Sequence, residues 1–149
     1  MPEISRNKAG LRATSRSLPI AMLRARERVM GPIRAMLSKA GVTEQQWRVL
    51  RVLDETGPTD ATEIARQACL LMPSLTRMLQ VLERKGLTKR SMHPSDRRKA
   101  VISITKNGQA LISANIAESN RIFADLEAEF GADRIEALLD LLNELSEAQ

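Results

Sequence analysis

The 149-residue chain holds one cysteine, one histidine, no tyrosine and almost no aromatic rings. A lone Cys69 closes no intrachain disulfide and supplies no cysteine-based zinc site. A lone His93 leaves histidine-dependent chemistry with a single candidate, so metalloenzymes and Ser–His or Cys–His hydrolases fall away. Neither a phosphate-cradling glycine loop nor a nucleophile–base pair stands in the sequence. No apolar run approaches the roughly 18 residues of a membrane span, and the first residues lack the apolar core, about 7–15 residues long, of a secretory signal. The expectation is a soluble cytoplasmic protein that is not an enzyme and carries no metal or cofactor. With Trp47, Phe123 and Phe130 as its only rings, it offers no platform on which single-stranded bases could stack.

What the chain does have is positive charge, unevenly placed. Net charge is +5, and residues 1–42 carry +7, residues 43–105 carry +4 and residues 106–149 carry −6. Lys and Arg contacts to phosphate supply most non-specific nucleic-acid affinity, so a basic first two thirds points to a polyanion. Since exposed bases have no rings to meet, that polyanion is duplex DNA. The plain alternative is charge that only keeps the protein soluble.

Residues 1–16, with Arg6, Lys8, Arg12 and Arg16 against Glu3, show no amphipathic period and read as a flexible basic arm. Ser17 with Pro19 starts a helix that runs to Lys39 and closes at Gly41, with a kink expected at Gly31-Pro32. Met22, Leu23, Val29, Met30, Ile33, Met36 and Leu37 share one arc of it, and Arg26 falls inside that arc. Thr43-Glu44-Gln45-Gln46 has capping-box spacing and opens a second helix carrying Trp47, Leu50 and Leu53. Asp60 caps a short third helix. Pro73 fits the first position of a fourth, whose Leu75, Met78, Leu79 and Leu82 recur at helical spacing. Two short helices on a tight link, the second with a polar and basic outer face, form a helix-turn-helix.

After Gly86 the pattern becomes strand-like, Leu87 to Met92 and Lys99 to Ile104, around the turn-rich His93 to Asp96. Eight basic and two acidic side chains between Arg77 and Lys99 give a local +6 where a helix and a hairpin would touch DNA. Two helices follow, from the N-cap Thr105 and after Gly131. The last carries Ile135, Leu138, Leu139, Leu142 and Leu145, a stripe for which a partner subunit is the simple cover.

This order, with Thr76-Arg77-Met78-Leu79-Gln80-Val81-Leu82-Glu83-Arg84-Lys85-Gly86-Leu87 and Ser95-Asp96-Arg97-Arg98-Lys99-Ala100-Val101-Ile102-Ser103-Ile104-Thr105, resembles the MarR family of bacterial transcription regulators over roughly residues 17 to 147. Ser17-Leu18-Pro19-Ile20-Ala21-Met22-Leu23-Arg24-Ala25-Arg26-Glu27 and Gly41-Val42-Thr43-Glu44-Gln45-Gln46-Trp47-Arg48-Val49-Leu50-Arg51 are similar to its subgroup that regulates homoprotocatechuate (3,4-dihydroxyphenylacetate) degradation operons. The resemblance implies a mainly α protein with a small β-hairpin wing: a winged helix-turn-helix in an intertwined homodimer. One domain over 17–149 would have dimerisation helices at 17–40 and 106–147 and a DNA-binding lobe at 43–105. It also implies a pseudo-palindromic operator, repression, and release by a small aromatic carboxylic acid.

Ser74, Thr76, Arg77 and Gln80 sit near the start and on the exposed face of the recognition helix, where side chains reach base edges or phosphates; the plain alternative is a solvated face. Arg84 and Lys85 fit that alternative, or a phosphate contact. Arg97 and Arg98 lie at the hairpin, where arginine enters a narrow minor groove, and Asp96 is expected to hold one of them. Arg26 needs an anion, either an acid across the dimer interface or a ligand carboxylate. The family's acid cleft makes Arg24, Arg26, Trp47 and Arg48 the ligand candidates, with core packing the alternative for Trp47. Cys69 reads as a small buried residue and His93 as a solvated turn residue. The rival functions are an architectural protein coating DNA without sequence preference, an enzyme, and a winged helix serving only protein contacts.

Overall fold

The computed structural model describes residues 10–96 and 98–147. Six α-helices and one hairpin follow in the order α1 (Leu18–Ala40), α2 (Glu44–Thr56), α3 (Ala61–Ala68), α4 (Met72–Arg84), β1 (Thr88–Met92), β2 (Ala100–Ile104), α5 (Lys106–Phe130) and α6 (Ala132–Glu147). Residues 14–16, placed in the basic arm by sequence, instead form a single 3-10 turn against the start of α1.

The helix ends follow their side chains. Gly41 closes α1 in the left-handed region at φ 77°, which glycine enters without a Cβ clash. Pro32 lies inside α1, which continues through it as one helix. Thr43 accepts from the Gln46 backbone and the Gln46 side chain answers the Thr43 backbone, both at 3.1 Å, completing the capping box. Asp60 caps α3 through the Glu63 backbone at 2.9 Å. Pro73 comes second in α4, one place later than the sequence suggests, because the helix opens at Met72.

Leu50, Leu53, Ile64, Leu75 and Leu82 are fully buried and join α2, α3 and α4 into one core, each apolar side chain contributing about 1.5–3 kcal/mol. Ile33, Met36 and Leu37 close it from α1, and Ile112 and Ile122 from α5. The hairpin pairs Thr88 with Ile104 through Met92 with Ala100. A bridge that periodicity does not reveal ties β2 to the α2–α3 loop: the Thr59 and Ile102 backbones exchange hydrogen bonds of 3.1 and 2.8 Å. The wing is thereby held to the helical lobe at its buried end.

Against that core, α6 buries none of its residues, and Leu138, Leu139, Leu142 and Leu145 are exposed. Met22 and Leu23 of α1 and Ile116 and Phe123 of α5 are exposed as well.

Cys69 is exposed, correcting the buried position expected for it. It is the C-cap of α3, with φ 55° and ψ 52°. The chain leaves α3 at this residue, one place beyond the buried Ala68, and the side chain meets solvent.

Candidate functional site

The outer face of α4 follows from its buried one. With Leu75 and Leu82 fully buried and successive residues rotated about 100°, Arg77, Gln80 and Arg84 stand opposite the core, and all three are exposed. Thr76 and Gln80 line a groove of about 200 Å³ between α4 and the hairpin, together with Glu83, Lys89, Arg90 and Ile102. Thr76 donates its hydroxyl to the Met72 carbonyl at 3.0 Å, which leaves its oxygen free only as an acceptor. Ser74 is exposed on the side of α4 away from the groove.

In the wing turn, the Asp96 carboxylate accepts the backbone N–H of Arg98 at 3.0 Å, and the Arg98 guanidinium has no acid partner among the described residues. Asp96 therefore shapes the turn through the Arg98 backbone rather than neutralising the Arg98 side chain. Arg97 lies outside the described residues. His93 is half-buried, and its Nδ1 meets the Ser95 backbone N–H at 3.2 Å and the Ser95 hydroxyl at 3.0 Å, so this ring organises the turn as well.

Part of the basic charge is neutralised within the fold. Arg26, Arg28, Arg34, Arg51, Arg66 and Arg121 each meet a carboxylate. Beside Arg66, its guanidinium and the Gln67 amide pull the Glu63 carboxyl down to about 2. Arg77, Arg84, Lys89, Arg90, Arg98 and Lys99 have no acid partner among the described residues. A cationic helix face beside a cationic hairpin supplies the Lys and Arg side chains that contacts to duplex phosphates require.

A second feature is a cleft of about 310 Å³ between α1, α2, α3 and α5, within the size range of small-molecule sites. Arg26, Trp47 and Arg48 line it, with Met30, Ile33 and Phe123 as apolar walls. Arg24 is exposed and does not line it; two residues from Arg26 is about 200° around α1, the opposite side. Trp47 is 8% exposed, so one ring serves both the core and the cleft wall.

The anion that Arg26 needs comes from its own chain: Nη2 donates to Glu44 Oε1 at 2.7 Å, where the sequence reading looked across the dimer interface. Glu44 also takes Arg34 Nε at 3.2 Å, and Arg34 grips Glu27 with two bonds of 2.8 Å. The hydrogen bond from Arg26, then that from Arg34, holds the Glu44 carboxyl below its ordinary range, and Arg34 does the same to Glu27. Arg48 donates Nη1 to the Ala68 carbonyl at 2.9 Å, closing the end of α3, while its buried Nε has no partner among the described residues.

Comparison with known proteins fits this geometry. The sequence model of the MarR family matches residues 42–100, from the turn before α2 to the first residue of β2. Over 128 residues the chain is 41% identical to the homoprotocatechuate degradative operon repressor of Escherichia coli, covering 86% of both chains. The chain belongs to the MarR family. Among solved MarR-type folds, it superposes on NadR in complex with 4-hydroxyphenylacetate with a TM-score of 0.80 and 34% identity, covering all of both chains. It superposes on the transcriptional repressor CouR bound to a 23-mer DNA duplex with a TM-score of 0.78 and 31% identity, covering 96% of this chain and all of that one. Within this MarR-family chain, two charged cleft residues escape the sequence reading. Arg51 lines the cleft one helical turn beyond Trp47, a spacing that puts both on one face of α2 and could have signalled it. Glu44, recognisable in sequence only as the residue after a cap, lines it too.

Proposed function

We propose that the protein is a homodimeric transcriptional repressor that binds a pseudo-palindromic operator in duplex DNA and is released by a small aromatic carboxylic acid. The observation that carries DNA binding is the clustering of exposed cations, Arg77 and Arg84 on α4 with Lys89, Arg90, Arg98 and Lys99 on the wing, none of them with an acid partner among the described residues. In this reading Ser74, Arg77 and Gln80 meet base edges or phosphates in the major groove, Thr76 accepts there, and Arg98 with Arg97 enters the minor groove. Helices within 17–40 and 106–147 form the dimer, in which the bare leucines of α6 and the exposed Met22, Leu23, Ile116 and Phe123 find cover. The lobe over 43–105 then carries the DNA contacts, and residues 1–9 of the basic arm lie outside the described residues. The protein works in the cytoplasm and catalyses nothing.

The effector reading rests on the cleft. An arginine fork matches a carboxylate, and here Arg26, Arg48 and Arg51 surround an apolar space next to a tryptophan ring. The relatives support an aromatic acid: one is a homoprotocatechuate operon repressor and another holds 4-hydroxyphenylacetate. Release requires that the acid favour a dimer whose recognition helices miss the operator, a coupling of typically about 1–3 kcal/mol. Arg24, on the far side of α1, serves this cleft only from the partner subunit.

Titrating 4-hydroxyphenylacetate or 3,4-dihydroxyphenylacetate into the operator complex should displace the DNA. In Arg26→Ala the concentration needed should rise by about tenfold, as expected for one lost charge-assisted contact. An unshifted midpoint in that variant would remove Arg26 from the acid site, and DNA retention by the native protein at saturating acid would reject the effector class.

A further inference from the structure

Lys85 counts among the positive charges of the DNA-facing segment, yet its ammonium is turned elsewhere. It is the C-cap of α4, and its Nζ donates to the carbonyl of Gly41 at 2.8 Å. Gly41 is itself the C-cap of α1, whose last carbonyls lack helical partners and favour a cation. The next two residues are fastened as well. The Gly86 carbonyl accepts the Thr105 hydroxyl at 2.6 Å, and the Leu87 carbonyl accepts the Thr105 backbone N–H at 3.1 Å. Thr105 is the N-cap of α5. The C-terminal end of α4 is therefore tied to the end of α1 and the beginning of α5. Its N-terminal end is held to α3 instead: the Leu70 backbone N–H donates to the Ala65 carbonyl at 3.0 Å, and Leu75 in the first turn is fully buried.

With its N-terminal end packed on α3, the helix is set against α1 and α5 by the bonds at its C-terminal end. Because α1 and α5, together with α6, carry the exposed apolar residues that the proposed dimer would cover, the tie at Lys85 connects the reading helix to the parts that set the geometry of the dimer. From this we infer that Lys85 is a positioning residue rather than a phosphate contact: its bond to Gly41 fixes the recognition helix on α1, and through α1 the separation of the two recognition helices in the dimer. This inference rests on the DNA-binding reading above. It separates Lys85 from Arg77 and Arg84, which share its charge and lie on the same helix but make no bond to another element among the described residues.

A phosphate contact and a positioning bond leave different marks. Removing a phosphate contact weakens binding to every duplex and lowers the slope of log affinity against log salt by about one. Removing a positioning bond weakens only the complex that needs both helices in register. Lys85→Met keeps an unbranched side chain with good helix propensity. Measured on the chain's own upstream duplex, it should lose about fivefold in affinity with an unchanged salt slope, as one hydrogen bond of ordinary net worth would give. On a scrambled duplex it should bind within about twofold of the native protein. A parallel loss on both duplexes with a smaller salt slope would make Lys85 a phosphate contact and overturn the inference, and so would unchanged affinity on both. If the native protein itself binds the two duplexes alike, the operator reading fails first and the positioning role falls with it.

Discussion

Arg77→Ala is expected to weaken operator binding by roughly 1–3 kcal/mol, about 5- to 150-fold, while leaving the fold and the dimer as they are. Arg77 is exposed, stands opposite the buried Leu75 and Leu82 on α4, and has no acid or carbonyl partner among the described residues. Nothing in the folded chain depends on its guanidinium, so its loss should not register in a thermal melt. Its place in the first half of α4 is where recognition helices reach base edges. A gel-shift titration alongside sedimentation of the same sample separates the two effects. Intact affinity would show that this face of α4 is only solvated. If the loss is larger on the operator than on a scrambled duplex, Arg77 reads bases; an equal loss on both with a smaller salt slope assigns it to phosphate.

Gly108→Ala is expected to destabilise the protein by about 1–3 kcal/mol and to weaken DNA binding indirectly. Gly108 is buried in the first turn of α5, where a Cβ would come within 2.4 Å of the Leu87 carbonyl oxygen and 2.6 Å of Ile104 Cγ1. The Leu87 oxygen belongs to the backbone and accepts from Thr105, so it cannot swing aside as a flexible side chain would. The added carbon must push α5 from the hairpin or tilt the wing. A thermal melt should show a lower midpoint, and Gln109→Ala, one residue along and exposed, should stay within about 0.5 kcal/mol of the native protein. A midpoint in Gly108→Ala equal to the native one would mean that α5 and the wing are not packed this closely. Thr-x-x-Gly here is thus two requirements in four residues: a cap that accepts the Gly108 N–H at 3.1 Å, and a bare Cα where two chains meet.

Much of this architecture is legible because its causes are local. Thr43 and Asp60 announce helix starts by side chains three residues from the groups they satisfy, Gly41 announces an end, and Leu75, Met78, Leu79 and Leu82 carry a period that any reader can count. The hairpin is bounded by turn residues for the same reason. What escapes depends on chain segments far apart in sequence. Glu44 sits 18 residues from Arg26, and Gly41 sits 44 from Lys85. No spacing rule predicts either bond, since both follow from how α1 packs across the lobe. The bridge between Thr59 and Ile102 is equally remote. Cys69 misleads for a different reason: a small residue suits a core, but here it is the C-cap that ends α3 in the left-handed region and is exposed. In the candidate site, the reading helix stands out in sequence through its polar face. The cleft is half visible, with Arg26 conspicuous as a charge in an apolar arc and its partner hidden.

Fluorescence anisotropy of the purified protein on its own upstream duplex and on a scrambled one, at physiological salt, bears most directly on what this fold is for. A sequence-specific repressor should prefer the upstream duplex by roughly a thousandfold or more. Equal affinity for the two, with a steep salt dependence, would instead make the cationic face of α4 and the wing a general DNA-coating surface and contradict the repressor assignment.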